Sequence, residues 1–144
     1  MWADTLYTLE QGHLLRLGVW AAVSILGGTA LLAWLTLRGV AAPLVRHFAI
    51  QTAAWGAVNA AIAAWAWRGL TMRDFAGTQK LLSILWLNTG LDLGYAAVGL
   101  TLVIVGWQWE RRMGAVGAGL GVVLQGLALA LLDLRLILLI GPLR

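Results

Sequence analysis

Asn88-Thr89-Gly90-Leu91-Asp92-Leu93-Gly94-Tyr95 lies inside an apolar run from about Leu81 to Trp109. A helix of about 20 apolar residues crosses a bilayer, and this run is longer. An aspartate at that depth is costly, so it is expected to face protein or a water-filled cavity rather than lipid. Asn88, Asp92 and Tyr95 fall at i, i+4, i+7 and share one helix face. Gly90 and Gly94 form a GxxxG pair on a neighbouring face, where a second helix can approach closely.

The rest of the chain reads in the same terms. Of its 144 residues, 61% are hydrophobic and only 11% charged. A soluble domain carries about 25% charge, so the apolar excess calls for a bilayer. The ten Lys and Arg sit at segment ends and form no run or stripe. They read as membrane-flanking charges rather than a phosphate-binding patch, and no nucleic-acid partner is expected. The absence of cysteine excludes disulfides, thiolate metal sites and a thiol nucleophile. Ahead of the first apolar segment stand Asp4 and Glu10, with no Lys or Arg before Arg16. That is the wrong flank for a secretory leader.

Four spans follow, at roughly 14–37, 48–67, 81–109 and 114–140, in one domain. The expected fold is all-α: a polytopic, four-transmembrane-helix bundle. Residues 1–13 carry Trp2, Leu6 and Leu9 at helical spacing and read as an interfacial helix or a frayed terminus. Pro43 suits the first turn of the second helix. Thr71-Met72-Arg73-Asp74 resembles a capping box within the longest connection. The short link between spans three and four makes them antiparallel neighbours, touching near Gly90/Gly94 or Gly117/Gly121. Gly56, beside Ala60 and Ala64, begins a further small-residue stripe. If Gly117 and Gly121 are partly external, leucine at both should weaken association and leave the monomer helical.

Depth along the spans, at about 1.5 Å per residue, puts Asn59 and Asp92 at similar levels. With Asn88, Tyr95 and Gln125 they form an expected intramembrane polar cluster. Arg16, Asp133 and Arg135 form a shallower charged layer, in which Arg16 can pair with Asp133. Interhelical hydrogen bonds from Asn, Gln and Asp hold bundles together. An intramembrane carboxylate equally points to a solute or proton site. Both readings stand at this point. No metal site and no cofactor is expected: His13 and His47 belong to opposite ends of the bundle.

The stretch 88–95, with Leu124-Gln125-Gly126, Leu132-Asp133-Leu134 and the His47–Asn59 stripe, resembles a group of small, uncharacterised bacterial four-helix membrane proteins, a domain-of-unknown-function family. The resemblance covers roughly residues 45–135. It implies a four-helix fold in a bacterial inner membrane, and no activity, substrate or cofactor. The functional expectation is a non-enzymatic structural or accessory subunit. It would act through helix–helix association with itself or with other membrane-protein subunits, among membrane lipids. The alternative is a small proton-linked transporter or permeation unit centred on Asp92.

Overall fold

The computed structural model describes residues 2–143. They form four α-helices: α1 (Trp2–Leu37), α2 (Pro43–Arg68), α3 (Phe75–Gln108) and α4 (Met113–Ile140), with a short 3-10 turn at Gly141–Leu143. No strand occurs among the described residues.

Helix α1 is one continuous rod of 36 residues, about 54 Å long. Residues 2–13, expected as a separate interfacial helix or a frayed end, belong to it. Burial is the reason: Leu6 packs among Leu81, Leu82 and Leu85 of α3 and Leu136, Ile137 and Ile140 of α4, with Trp2 and Leu9 alongside. At the far end Gly39, in the left-handed region at φ 61°, stops the helix. Pro43 then opens α2 in its first turn, as the sequence implied. Helix α3 starts earlier than expected, at Phe75. Its cap is Asp74, not Thr71: Asp74 Oδ1 accepts a 2.7 Å hydrogen bond from the Gly77 amide. Glu110 and Arg111, both at positive φ, turn the chain from α3 into α4.

Helix α4 is the centre of the bundle and packs on α3, α2 and α1. The α3–α4 contacts run in opposite chain order, so the two are antiparallel neighbours as expected. A side-chain carbon on Gly126 would meet the Asp92 carbonyl at 2.5 Å, one on Gly119 the Gly99 carbonyl at 2.5 Å, and one on Gly106 the Ala115 methyl at 2.9 Å. The contact face differs from the expected one. Gly117 and Gly121 face α2: a side chain on Gly117 would run into the Leu44 backbone, and one on Gly121 would meet Gln51 at 2.7 Å. They are internal packing positions. Gly56 serves the α1–α2 hairpin, against Ser24 and Ile25. Gly90 and Gly94 meet nothing within 4 Å. No helix of this chain sits on them.

Helices α1, α3 and α4 are long and apolar enough to cross a membrane. Helix α2 falls short of that hydropathy because it carries Arg46, His47, Gln51 and Asn59.

Candidate functional site

Two polar centres lie inside the bundle. The first is Gln125, 1% exposed, near the middle of α4. Its Oε1 accepts from Trp20 Nε1 at 2.9 Å and from Asn59 Nδ2 at 3.3 Å, while its Nε2 donates to Ser24 Oγ at 3.1 Å. One amide thus ties α1, α2 and α4 together. This node contains two members of the expected cluster, Asn59 and Gln125. Trp20 and Ser24 complete it.

The second centre is a cleft of about 660 Å³ towards the termini, where α2 diverges from α4. Helices α2 and α3 form no backbone-to-backbone packed face, and the cleft lies between them. Its walls are apolar, from Leu14, Leu17, Ile62 and Leu85 among others. Its polar lining is Glu10, His13, Arg68, Arg73, Asn88 and Asp133. Arg73 holds the buried Glu10 carboxylate with both Nε (2.8 Å) and Nη2 (2.6 Å). That fork-on-carboxylate geometry pins the 69–74 connection to α1. Glu10 in turn raises the Arg73 pKa, chiefly through the hydrogen bond. His13 Nε2 lies 3.3 Å from Asp133 Oδ1, and both residues are buried. His13 Nδ1 is also buried and has no hydrogen-bond partner among the described residues.

The remaining members of the expected cluster separate. Asn88 is exposed on the cleft wall. Tyr95 packs its ring against Trp55 of α2, with centroids 5.2 Å apart and planes tilted by 60°. Asp92 is buried against α4, 8% exposed, and makes no hydrogen bond among the described residues. Its neighbour in charge is Asp133. The three do share one side of α3, but that side is wide enough for one end to face α2 and the other α4.

The shallow charged layer is rearranged too. Asp133 pairs with His13, not with Arg16. Asp133 and Arg135 lie two residues apart on α4 and so point to nearly opposite sides. Arg16 folds back one turn along α1, its guanidinium 3.5 Å from the space beside Gly12. It lines an outer α1–α4 groove together with Arg135.

The sequence placed none of Glu10, His13, Arg73, Trp20 and Ser24 in the polar cluster or the charged layer. The signal was present. Leu6, Glu10, His13, Leu17, Ala21, Ser24 and Gly28 recur in three- and four-residue steps, and all are buried. That stripe is one helix face running straight from the polar terminus into the apolar span.

A family model described as a family of unknown function, DUF6992, matches residues 16–134. The chain belongs to DUF6992. The match takes in the Gln125 node, Asp92 and Asp133, whereas Glu10 and His13 precede it. No curated protein and no solved structure matches this DUF6992 chain.

Proposed function

We propose that this chain is a four-span integral membrane protein, non-enzymatic, acting as a structural or accessory subunit through helix–helix association. Its resemblance to small bacterial membrane proteins supports a place in the bacterial inner membrane. Trp86 and Trp107, both exposed on α3, stand about 31 Å apart along the helix. This is the thickness of a hydrocarbon core, with aromatic side chains at each boundary. Helix α2 has 26 residues, about 39 Å, and its mid-span polar side chains, Gln51 and Asn59, turn inward. Asn59 bonds Gln125, Gln51 packs beneath Gly121, and the exposed positions include Val58, Ile62 and Trp65. A helix whose mid-span polar side chains turn to protein and whose outer surface is apolar suits lipid despite a modest average hydropathy.

The observation that carries the association reading is the outer face of α3. Gly90 and Gly94 lie on it with nothing over them, and Ser83, Ala97 and Thr101 continue the same exposed side. The Ser83 and Thr101 hydroxyls bond their own helix carbonyls, so the face offers small, satisfied side chains along about 27 Å. Interfaces between membrane helices are built from such residues. A second copy or another subunit's helix fits there. The test is the particle mass in phosphatidylcholine nanodiscs. Gly90→Leu/Gly94→Leu should shift an oligomer to monomer, or release a co-purified subunit, with helicity unchanged. Unaltered mass and composition would overturn the reading.

A specific observation favours a second reading. The cleft between α2 and α3 holds a buried His13–Asp133 pair and an unpartnered His13 Nδ1, with Asp92 further along α3. This is the equipment of a small proton or solute pathway, centred on the cleft with Asp92 behind it. Proton flux in liposomes decides it: wild-type flux removed by His13→Gln would support this reading, and no flux in the wild type would sink it.

A further inference from the structure

The groove on the outside of α1 and α4 contains two cations that the bundle does not neutralise. It has a volume of about 510 Å³ and is floored by Leu15, Val19, Trp20 and Leu131. Arg16 and Arg135 stand at its end towards the termini. Neither forms an ion pair among the described residues, and the Arg16 Nε is buried without a hydrogen-bond partner. Arg16 feels the positive charge of Arg135. Because Arg16 bends back beside Gly12, its guanidinium reaches the level of Arg135, where α4 has run about 32 Å from Gly114. That is headgroup depth at the opposite surface. The acid at the same level, Asp133, is turned to the other side of α4 and held by His13.

Like charges brought together over an apolar groove, with their acid withdrawn, complement an anion that carries a chain. Guanidinium groups bind phosphate oxygens in forked geometry. We propose that the α1–α4 groove is a binding site for an anionic phospholipid. The phosphate sits between Arg16 and Arg135, and one acyl chain lies along Leu15, Val19 and Leu131. The inference rests on the membrane reading above and adds a headgroup preference that the reading does not need.

The experiment is thermal unfolding of the full chain in a non-ionic detergent, titrated with phosphatidylglycerol or with phosphatidylcholine of the same chains. Phosphatidylglycerol should raise the midpoint saturably and phosphatidylcholine should not. Arg16→Gln/Arg135→Gln should weaken the apparent phosphatidylglycerol affinity about thirtyfold, about 2 kcal/mol for two arginines. Arg46→Gln/Arg112→Gln, at the other end, should leave it unchanged. Arg16→Lys/Arg135→Lys keeps the charge and loses the fork, so it should weaken the affinity by less than the glutamine pair does; should the glutamine pair fail to fold, an unchanged affinity in the lysine pair overturns the site. Equal stabilisation by both lipids overturns the site. So does an effect that survives loss of both charges, or one reproduced by inorganic phosphate alone. Carbonate-resistant association with phosphatidylcholine vesicles checks the membrane reading separately. A protein that passes it and ignores the headgroup refutes only this inference.

Discussion

Helices α3 and α4 carry the same inventory and use it in opposite ways. Each has a GxxxG pair and a polar residue with a carboxyl or amide group buried near mid-helix. On α4, Gly117 and Gly121 seat α2, and Gln125 bonds three side chains from α1 and α2. On α3, Gly90 and Gly94 face outward, and Asp92 bonds none. The difference follows from position in the bundle. Helix α4 is surrounded by three helices, so most of its circumference must be compatible with close neighbours. Helix α3 has one neighbour along most of its length and retains a free side. A GxxxG spacing therefore reports that a helix can come close, while the topology decides whether one of the chain's own does.

The largest effect that separates the two helices is at the glycines. Gly117→Leu/Gly121→Leu puts branched side chains into the Leu44 backbone and the Gln51 side chain. Ordinary overpacking costs about 1–3 kcal/mol, and a clash with backbone exceeds it. Loss of the cooperative melt, or a drop in midpoint well beyond that of Gly90→Leu/Gly94→Leu, is expected in detergent. Equal midpoints for the two double variants would erase the distinction between the two helices. The expectation from sequence alone, that leucine at 117 and 121 weakens association but spares the monomer, belongs instead to positions 90 and 94.

Much of the architecture was legible in the residues. Four helices, the Pro43 start and the antiparallel third and fourth helices follow from apolar run lengths, a fixed proline φ and a short connection. The facing of each helix was less legible. Small residues recur on several sides of α3 and α4, so periodicity alone does not say that Gly99, Gly106, Gly119 and Gly126 make their contact. Similar depth placed Asn59, Asp92 and Gln125 together, yet depth carries no angle: Asn59 and Gln125 met, and Asp92 lay on the far side of α4. The cleft charges were missed for a different reason. Glu10 and His13 stand in a polar terminal stretch, and their place in the bundle depends on α1 running unbroken through it.

The next effect concerns Gln125. Gln125→Leu fills similar space but strands the Trp20 N–H, the Asn59 amide and the Ser24 hydroxyl in a buried site. Each unsatisfied group costs about 1–3 kcal/mol, moderated where it finds another partner. Thermal melts should show a loss of at least one such unit, and Asn59→Leu combined with Gln125→Leu should lose less than the two single changes added together. Strict additivity would mean that the amide node does not couple the helices.

The smallest effect is expected at Asp92, and it is the most informative about purpose. Were Asp92 bonded to Asn59, Asn88 or Gln125, its removal would strand them as Gln125→Leu strands its own partners. It bonds none of them. A buried carboxylate without hydrogen bonds is itself a cost, so Asp92→Leu removes a liability and leaves no orphan. The melting midpoint should stay level or rise, within about 0.5 kcal/mol of neutral or on the stabilising side. Asp92→Asn should fall between leucine and wild type. A drop as large as that of Gln125→Leu would show that Asp92 is a structural bond-maker after all, and α3 would then resemble α4 in this respect. If instead the leucine variant is as stable as wild type and loses proton flux or an associated subunit, the residue serves function at the expense of stability. Intramembrane acids are held on those terms where they do chemistry. A stable Asp92→Leu with every property intact would leave the outer face of α3 as the working part of that helix, and the contrast with α4 would rest on Gly90 and Gly94 alone.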